Sequence, residues 1–501
     1  MQNTEHFDVA IVGLGPVGAT LANLLAQQEL RVVVFDREAT IFNLPRAIHY
    51  DGECMRVFQT IGIADELNEK IIPSPGMKFV DQNGELLINW ERSTEIGRHA
   101  WCESYKFYQP DLENALRERL SHYKNVDIRV RHDVFAVEDV GTHVNVRYEN
   151  TAQGKISQLQ AKIVVGCDGA RSTIRRFMGI ELDDLKSHES WVVVDTELFE
   201  DIPSLGFHSI QYCNPERPMT YSRGPRLKRR WEIMLNAQDP RQQVTQDAWI
   251  WDKLKPWVNP QTAKLERAAL YTFHSVVAKT WNKGRLALAG DAAHQTPPFM
   301  GQGMAAGVKD ASNLAWKIIH VLRHNANVSL LDDYTQERLP HATAFIETAV
   351  KLGDIIQKQS DPNTQSLSEE LKNFKTPHPK IGLGFSPQHV SDSTGAIAHQ
   401  PLLENGQRLD DVVGYHFTLL THAQFFKSNE LAFQAFKQLP VKIVVDDSEQ
   451  TRNYLQQLHS QAVLIRPDRY IYNTASKLNE INQLHLDLSN SFHQTNFAKA
   501  N

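Results

Sequence analysis

Three stretches of this chain combine residue types and spacings that could do chemistry. The first is Gly13-Leu14-Gly15-Pro16-Val17-Gly18, followed further on by Asp36. Glycines so spaced suit a phosphate: Gly13 permits a tight turn, Gly15 lets the backbone approach a pyrophosphate, and Gly18 lets a helix pack closely on a strand. Asp36 is positioned to accept from a ribose hydroxyl. The second stretch is Gly166-Cys167-Asp168-Gly169, with Arg171, Ser172 and Arg175 just beyond. The third is Gly290-Asp291, followed by Pro297-Pro298 and Gly301-Gln302-Gly303-Met304. Two histidines, His49 and His294, are of a type that could serve as a general base near neutral pH.

The elements around these residues explain how they could be positioned. An apolar run at 7–12 reads as a buried parallel strand, and Ala19, Leu21, Ala22, Leu24 and Leu25 follow the first glycines at helical spacing. A second strand at 31–35 delivers Asp36. Strand, glycine turn, helix, strand and acid in that order form the dinucleotide-binding arrangement, without saying which dinucleotide. The helix N-terminus offers free N–H groups and the positive end of its dipole to phosphates. Further strands at 162–166 and 285–289 bring Asp168-Gly169 and Gly290-Asp291 to their carboxyl ends, where parallel α/β sheets hold ligands. The proline pair denies the chain helix at 297–298, and a helix then starts beside Gly301 and Gly303. Met304, Val308, Ala311, Ala315, Ile318 and Leu322 mark its apolar face.

Composition narrows the class. The chain has 501 residues, with 53 Lys+Arg against 59 Asp+Glu and a formal net charge of −6. That mild acidity, without a long basic stretch, argues against nucleic acid as a partner. No apolar run reaches the roughly 18–20 residues of a membrane span, and the start lacks the basic region of a signal peptide. The four cysteines, Cys54, Cys102, Cys167 and Cys213, are far apart and form no C-x-x-C. A disulfide framework, a zinc site and a dithiol couple are all disfavoured, and no metal is expected. G-x-S-x-G, H-E-x-x-H and the P-loop motif are absent as well. The expectation is a cytoplasmic multidomain enzyme.

The three motifs, in this order, resemble the single-component flavoprotein aromatic hydroxylases, the para-hydroxybenzoate hydroxylase-like FAD monooxygenases. Within that group, Pro45-Arg46-Ala47-Ile48-His49-Tyr50-Asp51-Gly52-Glu53, Arg230-Trp231-Glu232 and the 290–304 stretch are most similar to 3-(3-hydroxyphenyl)propionate hydroxylases. The resemblance implies that Gly13, Gly15, Gly18 and Asp36 hold the ADP part of FAD. It implies that Arg46 reaches the pyrophosphate region and that Gln109 lies near the ribityl chain. Asp168 and Gly169 match a motif linked to both FAD and the pyridine nucleotide. Asp291 matches the aspartate that binds the ribityl chain, while Gly301, Gln302, Gly303 and Met304 approach the isoalloxazine. The implied reaction hydroxylates a small aromatic substrate, a phenol or phenolic acid such as a 3-hydroxyphenylpropionate-like compound. It uses O2 and NADH or NADPH, through a flavin C4a-hydroperoxide. One alternative is oxygenation or epoxidation of an N-heteroaromatic such as an indole or a quinolone; a second is a non-catalytic flavin-binding protein.

The implied fold is α/β: a Rossmann-like FAD-binding domain at 1–75, 105–185 and 275–358, with an inserted α+β substrate domain at 76–104 and 186–274. In the inserted parts, 191–197 and 231–235 read as strands of an antiparallel sheet. Trp101, Tyr105, Tyr212, Tyr221 and Trp231 are read mostly as packing, with some available to an aromatic pocket. Arg223, Arg226, Lys228, Arg229 and Arg230 are read as a solvated charged turn rather than a carboxylate clamp. A helix is expected at 341–357 and a Ser/Pro/Gly-rich linker at 359–398. Strands near 416–420, 441–445 and 462–465, with a helix at 449–459, make 399–501 a small α/β unit. By its place in the chain it resembles a thioredoxin-like C-terminal domain, here without C-x-x-C. Its expected role is packing or homodimerisation.

Overall fold

Residues 4–41, 46–214, 216–358 and 378–494 are described by a computed structural model of the chain. Pro45 and the 359–377 part of the linker segment lie outside the described residues. A first sheet runs in the order Asn282–Lys283, Leu286–Leu288, Lys155–Gly166, Glu5–Val12, Val32–Asp36, Val126–Val130. From Leu286–Leu288 onward the neighbours are parallel, so Leu288, Gly166, Val12 and Asp36 end on one edge. That edge is where a parallel sheet offers its ligand crevice. Val144–Asn150 and His132–Asp139 add an antiparallel flap to the first half of Lys155–Gly166. The helices Pro16–Ala26 and Gly303–Arg323 pack on this sheet through Leu21, Leu24, Val308 and Ala311, all fully buried.

The second sheet also has eight strands, in the order His294–Gln295, Ala263–Ala278, Leu182–Leu198, Lys228–Met234, Met219–Arg223, Ser209–Tyr212, Gly76–Val80, Leu86–Glu91. Its pairs are antiparallel except Ser209–Tyr212 with Gly76–Val80. The period-two alternation of a strand sets its two faces. Val192, Val194, Trp231 and Ile233 form a core under the helix Asp247–Leu254. Val193, Glu232 and Thr220, which sit opposite one another in the ladder, face the other way. A three-stranded sheet is formed by His49–Asp51, Ser104–Lys106 and Ile72–Pro73, with Ser104–Lys106 in the middle.

The third part is a four-stranded sheet in the order Val441–Val445, Phe417–Thr421, Ala462–Ile465, Ile471–Ala475. The first three strands fall where the sequence pattern puts them; Ile471–Ala475 and the helix Leu478–Gln494 are additions to it. This part docks on the helix Gly303–Arg323 through buried charge. Glu337 accepts from Lys317 at 2.7 Å, Asn313 at 2.8 Å and Arg466 at 2.8 and 2.7 Å, and Arg466 also grips Asp468 at 2.7 Å. Nearby, Arg56 pairs with Asp410 at 2.7 Å.

Two readings of the sequence are corrected here. The helix expected from 341 starts at Asp332 and continues through Pro340 to Lys358. Pro340 leaves the Gln336 carbonyl, four residues earlier, without its helical donor, and the chain at Gly382 packs against that stretch. The Glu337 carbonyl accepts from the Gly382 N–H at 3.0 Å, and a Cβ at Gly382 would lie 2.0 Å from the Gln336 oxygen. The basic cluster is not a solvated turn either. Arg229 and Arg230 are buried and paired, with Asp201 at 2.6 Å and Asp195 at 2.7 Å.

Candidate functional site

A cavity of about 530 Å³ lies between the ligand edge of the first sheet and the inner face of the second. One end is the glycine turn. Gly13 has φ +104°, and a Cβ there would sit 2.3 Å from the Cys167 carbonyl oxygen. At Gly18 a Cβ would sit 2.0 Å from the Gly13 oxygen, whereas above Gly15 the space is open. Gly15, Pro16 and Val17 line the cavity. Their helix begins without a side-chain cap or an acid in its first turn, so its N–H groups and dipole are available to an anion. Asp36 stands behind this turn rather than in the cavity lining: it accepts from the Leu14 N–H at 2.9 Å and the Glu38 N–H at 2.8 Å.

Asp168 has a similar supporting position. Its Oδ2 accepts from the N–H groups of Thr173 and Ile174 at 2.7 and 3.2 Å and starts the helix Thr173–Met178, while Oδ1 is buried without a partner. Its neighbour Gly169, at φ +76°, turns the chain so that Gly169 and Ala170 line the cavity. Asp291 is different. Its carboxylate opens on the cavity with no hydrogen-bond partner among the described residues. Burial of the site pushes its pKa above the ordinary value, against the pull of His294 and Arg46.

The far wall begins with Gly301 at φ +62° and continues through Gln302, Gly303 and Met304, which open the helix Gly303–Arg323. That helix too has no side-chain cap and no acid in its first turn. Arg46 and Gln109 close the side. Gln109 Oε1 accepts from the Arg46 and Ala47 N–H groups at 2.8 and 2.7 Å, and its amide donates to Glu113 at 2.7 Å. Gln109 therefore holds the Arg46 segment in place while lining the cavity itself.

The two histidines part company. His49 lines the cavity; His294 is buried away from it, bonded to Asp310 at 2.7 Å and stacked on Trp281. Asp310 in turn takes Arg338 at 2.9 Å and the Gly290 N–H at 3.1 Å. His294 thus braces the turn that presents Asp291. Around His49, Arg92 donates to Nε2 at 3.0 Å and the Ser104 hydroxyl lies 2.6 Å from the same nitrogen. Nε2 accepts from Arg92, which leaves the proton on Nδ1, 3.3 Å from the Gly301 carbonyl. Burial, then the charges of Arg92 and Lys106, hold the imidazole pKa well below its usual value, so the ring is neutral.

Among the wall residues that escaped the sequence reading of the site are Arg92, Lys106 and Glu232. A lysine within the buried run Ser104-Tyr105-Lys106 is the signal that could have found one of them, since such a charge needs a purpose. Of the aromatics singled out in the sequence, Trp101, Tyr105, Tyr212, Tyr221 and Trp231 are absent from the lining, which instead carries Trp90, Tyr271, Phe273 and Phe299.

A family model described as an FAD binding domain matches residues 6–349. The chain belongs to that family, and FAD is its cofactor. Among curated proteins, a probable NADH-specific resorcinol 4-hydroxylase of Rhodococcus jostii (strain RHA1) is 40% identical over 350 residues, 70% of this chain and 65% of that protein. The chain therefore spans slightly less than two thirds of that relative. A 3-(3-hydroxy-phenyl)propionate/3-hydroxycinnamic acid hydroxylase 2 of Burkholderia vietnamiensis (strain G4 / LMG 22486) is 34% identical over 441 residues, 83% of this chain and 80% of that one. Among solved structures, the flavin-dependent monooxygenase PieE, in complex with FAD and substrate, superposes with a TM-score of 0.84 at 19% identity. It covers 98% of this chain and 99% of its own, a likeness of fold. p-Nitrophenol 4-monooxygenase PnpA from Pseudomonas putida DLL-E4 gives 0.66 at 26% identity, covering 73% and 93%.

Proposed function

We propose that this protein is an FAD-dependent aromatic monooxygenase that uses NADH and O2 to hydroxylate a phenol or phenolic acid, of the resorcinol or 3-hydroxyphenylpropionate kind. The observation that carries the reading is one continuous cavity, which joins two open helix N-termini to a polar and aromatic chamber under an antiparallel sheet. FAD fits that cavity. The open space over Gly15 and the uncapped helix suit its pyrophosphate, with Arg46 beside them. Asp291 has a lone acceptor for ribityl hydroxyls, and the Gly301–Met304 turn suits the ring. Gly13, Gly18 and Asp36 shape the turn from behind, Gln109 fixes Arg46, and Asp168 with Gly169 sets the neighbouring loop.

When bound and reduced by NADH, the flavin supplies the oxygen chemistry; the protein positions, shields and polarises. Trp90, Tyr271, Phe273 and Phe299 give the chamber an apolar wall that keeps water from the reacting ring. The helix beginning at Gly303 stabilises negative charge beside its N-terminus. His49, neutral and held by Arg92 and Gly301, orients the turn rather than carrying charge.

We further assign 1–75, 105–185 and 275–358 to FAD binding and 76–104 with 186–274 to the substrate. Residues 399–501 form a thioredoxin-like unit that serves packing, as its buried ion pairs with Glu337 and Arg56 support. No helix among the described residues is long and apolar enough to cross a membrane. The free, unbridged cysteines favour a reducing compartment such as the cytoplasm. The test is NADH oxidation by the purified yellow protein with resorcinol, 3-(3-hydroxyphenyl)propionate and simple phenols, with product mass recorded. A product heavier by one oxygen atom is expected. NADH oxidation yielding only peroxide with every phenol would overturn the proposal.

A further inference from the structure

Lys106 has no work in the reading above, yet it is placed where work is needed. The residue is 8% exposed and lines the cavity, and its ammonium meets no acceptor among the described residues. It stands directly opposite His49 in the antiparallel ladder, so the two side chains share a face about 5 Å apart. His49 reaches Gly301, at the start of the ring-binding turn. Lys106 is therefore beside both the turn and the inner face of the second sheet. The groups that face it are Arg92 and His49 on its own side, and Arg230 and Glu232 from the strand Lys228–Met234. Arg230 is neutralised by Asp195 at 2.7 Å and lies only 3.9 Å from Glu232. Arg92 spends a donor on a neutral imidazole and another contact on a hydroxyl. The corner holds more cation than it compensates, and a buried cation without a partner is costly.

We propose that Lys106 receives the ring hydroxyl of the substrate, takes its proton and holds the resulting phenolate as an ion pair. This rests on the phenol-hydroxylase reading. The proton leaves the phenol oxygen and bonds to the amine lone pair of Lys106; the electron pair stays on oxygen and enriches the ring. After ring oxygenation the same proton returns to the product oxygen, so Lys106 is regenerated. Burial, with Arg92 and Arg230 against Glu232, brings the amine down to about 7, so it is partly free to accept. A phenolate beside it then favours the ammonium.

The experiment follows the ionisation of 4-nitrophenol, whose phenolate is coloured, by difference spectra on the FAD-loaded protein. The wild type should bind it as the anion, with an apparent acidity constant raised at least about tenfold over the free probe. Lys106→Met should bind it as the neutral phenol, with the acidity constant lowered below the free probe. Lys106→Arg should restore the anion in the bound state, since its charge persists, but flatten the pH profile of turnover. Binding of the anion with wild-type acidity by Lys106→Met overturns the proposal. If Lys106→Met does not fold, the wild-type titration decides alone: a bound probe no more acidic than the free one overturns it. Failure of the function reading is distinct, because it would show as no phenol product while these binding spectra still discriminate.

Discussion

Replacing Glu337 by Gln should cost more than any other single change at the docking face of the C-terminal part. The carboxylate accepts from Lys317, Asn313, both Arg466 Nη atoms and the Phe385 N–H, with distances between 2.7 and 2.8 Å. Glu337→Gln keeps the shape and puts an NH2 group where donors converge. Breaking a buried pair from one side costs about 3–5 kcal/mol, because the partner charge is left uncompensated. A second route gives the same size. Burial opposes the Glu337 carboxylate, but Arg466 and then Lys317 outweigh it and hold its pKa at about 2. From an ordinary value near 4.3, that shift is worth about 3 kcal/mol. Lys317 itself is brought down to about 8 by burial and still carries its charge at neutral pH, so both cations keep Glu337 ionised, Arg466 the more strongly. With an unfolding entropy of about 1 kcal/mol/K for roughly 500 residues, Tm should fall by about 3–5 °C at neutral pH. The folded carboxyl is the stronger acid, so this stability is present above about pH 4.3 and is lost as pH falls towards about 2. Thermal scans of wild type and Glu337→Gln with FAD, run at neutral pH and near pH 3, check both. A drop under about 1 °C at neutral pH, or a gap that widens on acidification, would refute the reasoning.

Gly18→Ala should yield protein that purifies with little flavin, because the new Cβ would meet the Gly13 carbonyl oxygen at 2.0 Å and the backbone must shift; the absorbance ratio of flavin to protein reads it. Asp291→Ala removes an acceptor the cavity leaves unpartnered and should weaken FAD binding by about tenfold or more, measured by fluorescence titration of apoprotein. His294→Gln should lower stability by about 1–3 kcal/mol, while turnover per bound flavin and its pH profile hold, since the ring bonds Asp310 away from the cavity. His49→Ala should release Arg92 and the Gly301 turn, so product formed per NADH consumed falls severalfold while flavin content is kept.

Elements whose signal is local were legible in the sequence. The glycine turn, the strands that deliver Gly166 and Leu288, and the helix starting after Gly301 each announce themselves by spacing. The chamber wall was not, because it depends on register between distant strands: Lys106 faces the cavity only because it pairs with His49, and Glu232 only because it pairs with Val193. The polar side of the helix Gly303–Arg323 carries no sign of its burial for a related reason. Lys309, Asn313 and Lys317 step along the flank opposite the apolar stripe and look solvent-facing, yet all are buried. Periodicity cannot distinguish water from a later domain whose arginine and aspartate meet that flank. Arg229 and Arg230 repeat the lesson, since Asp195 and Asp201, which neutralise them, lie about 30 residues earlier, on the strand Leu182–Leu198 and in the loop after it.

The helix Gly303–Arg323 belongs to two neighbourhoods at once, opening onto the cavity at Gly303 and gripped at Asn313 and Trp316 by Asp468, 155 and 152 positions further on. Its inheritance is therefore joint. A drift at Arg466 or Asp468 must be answered at Glu337 or Asn313, and grafting the last part of a relative onto this chain without those partners would disturb a helix whose other end opens on the cavity.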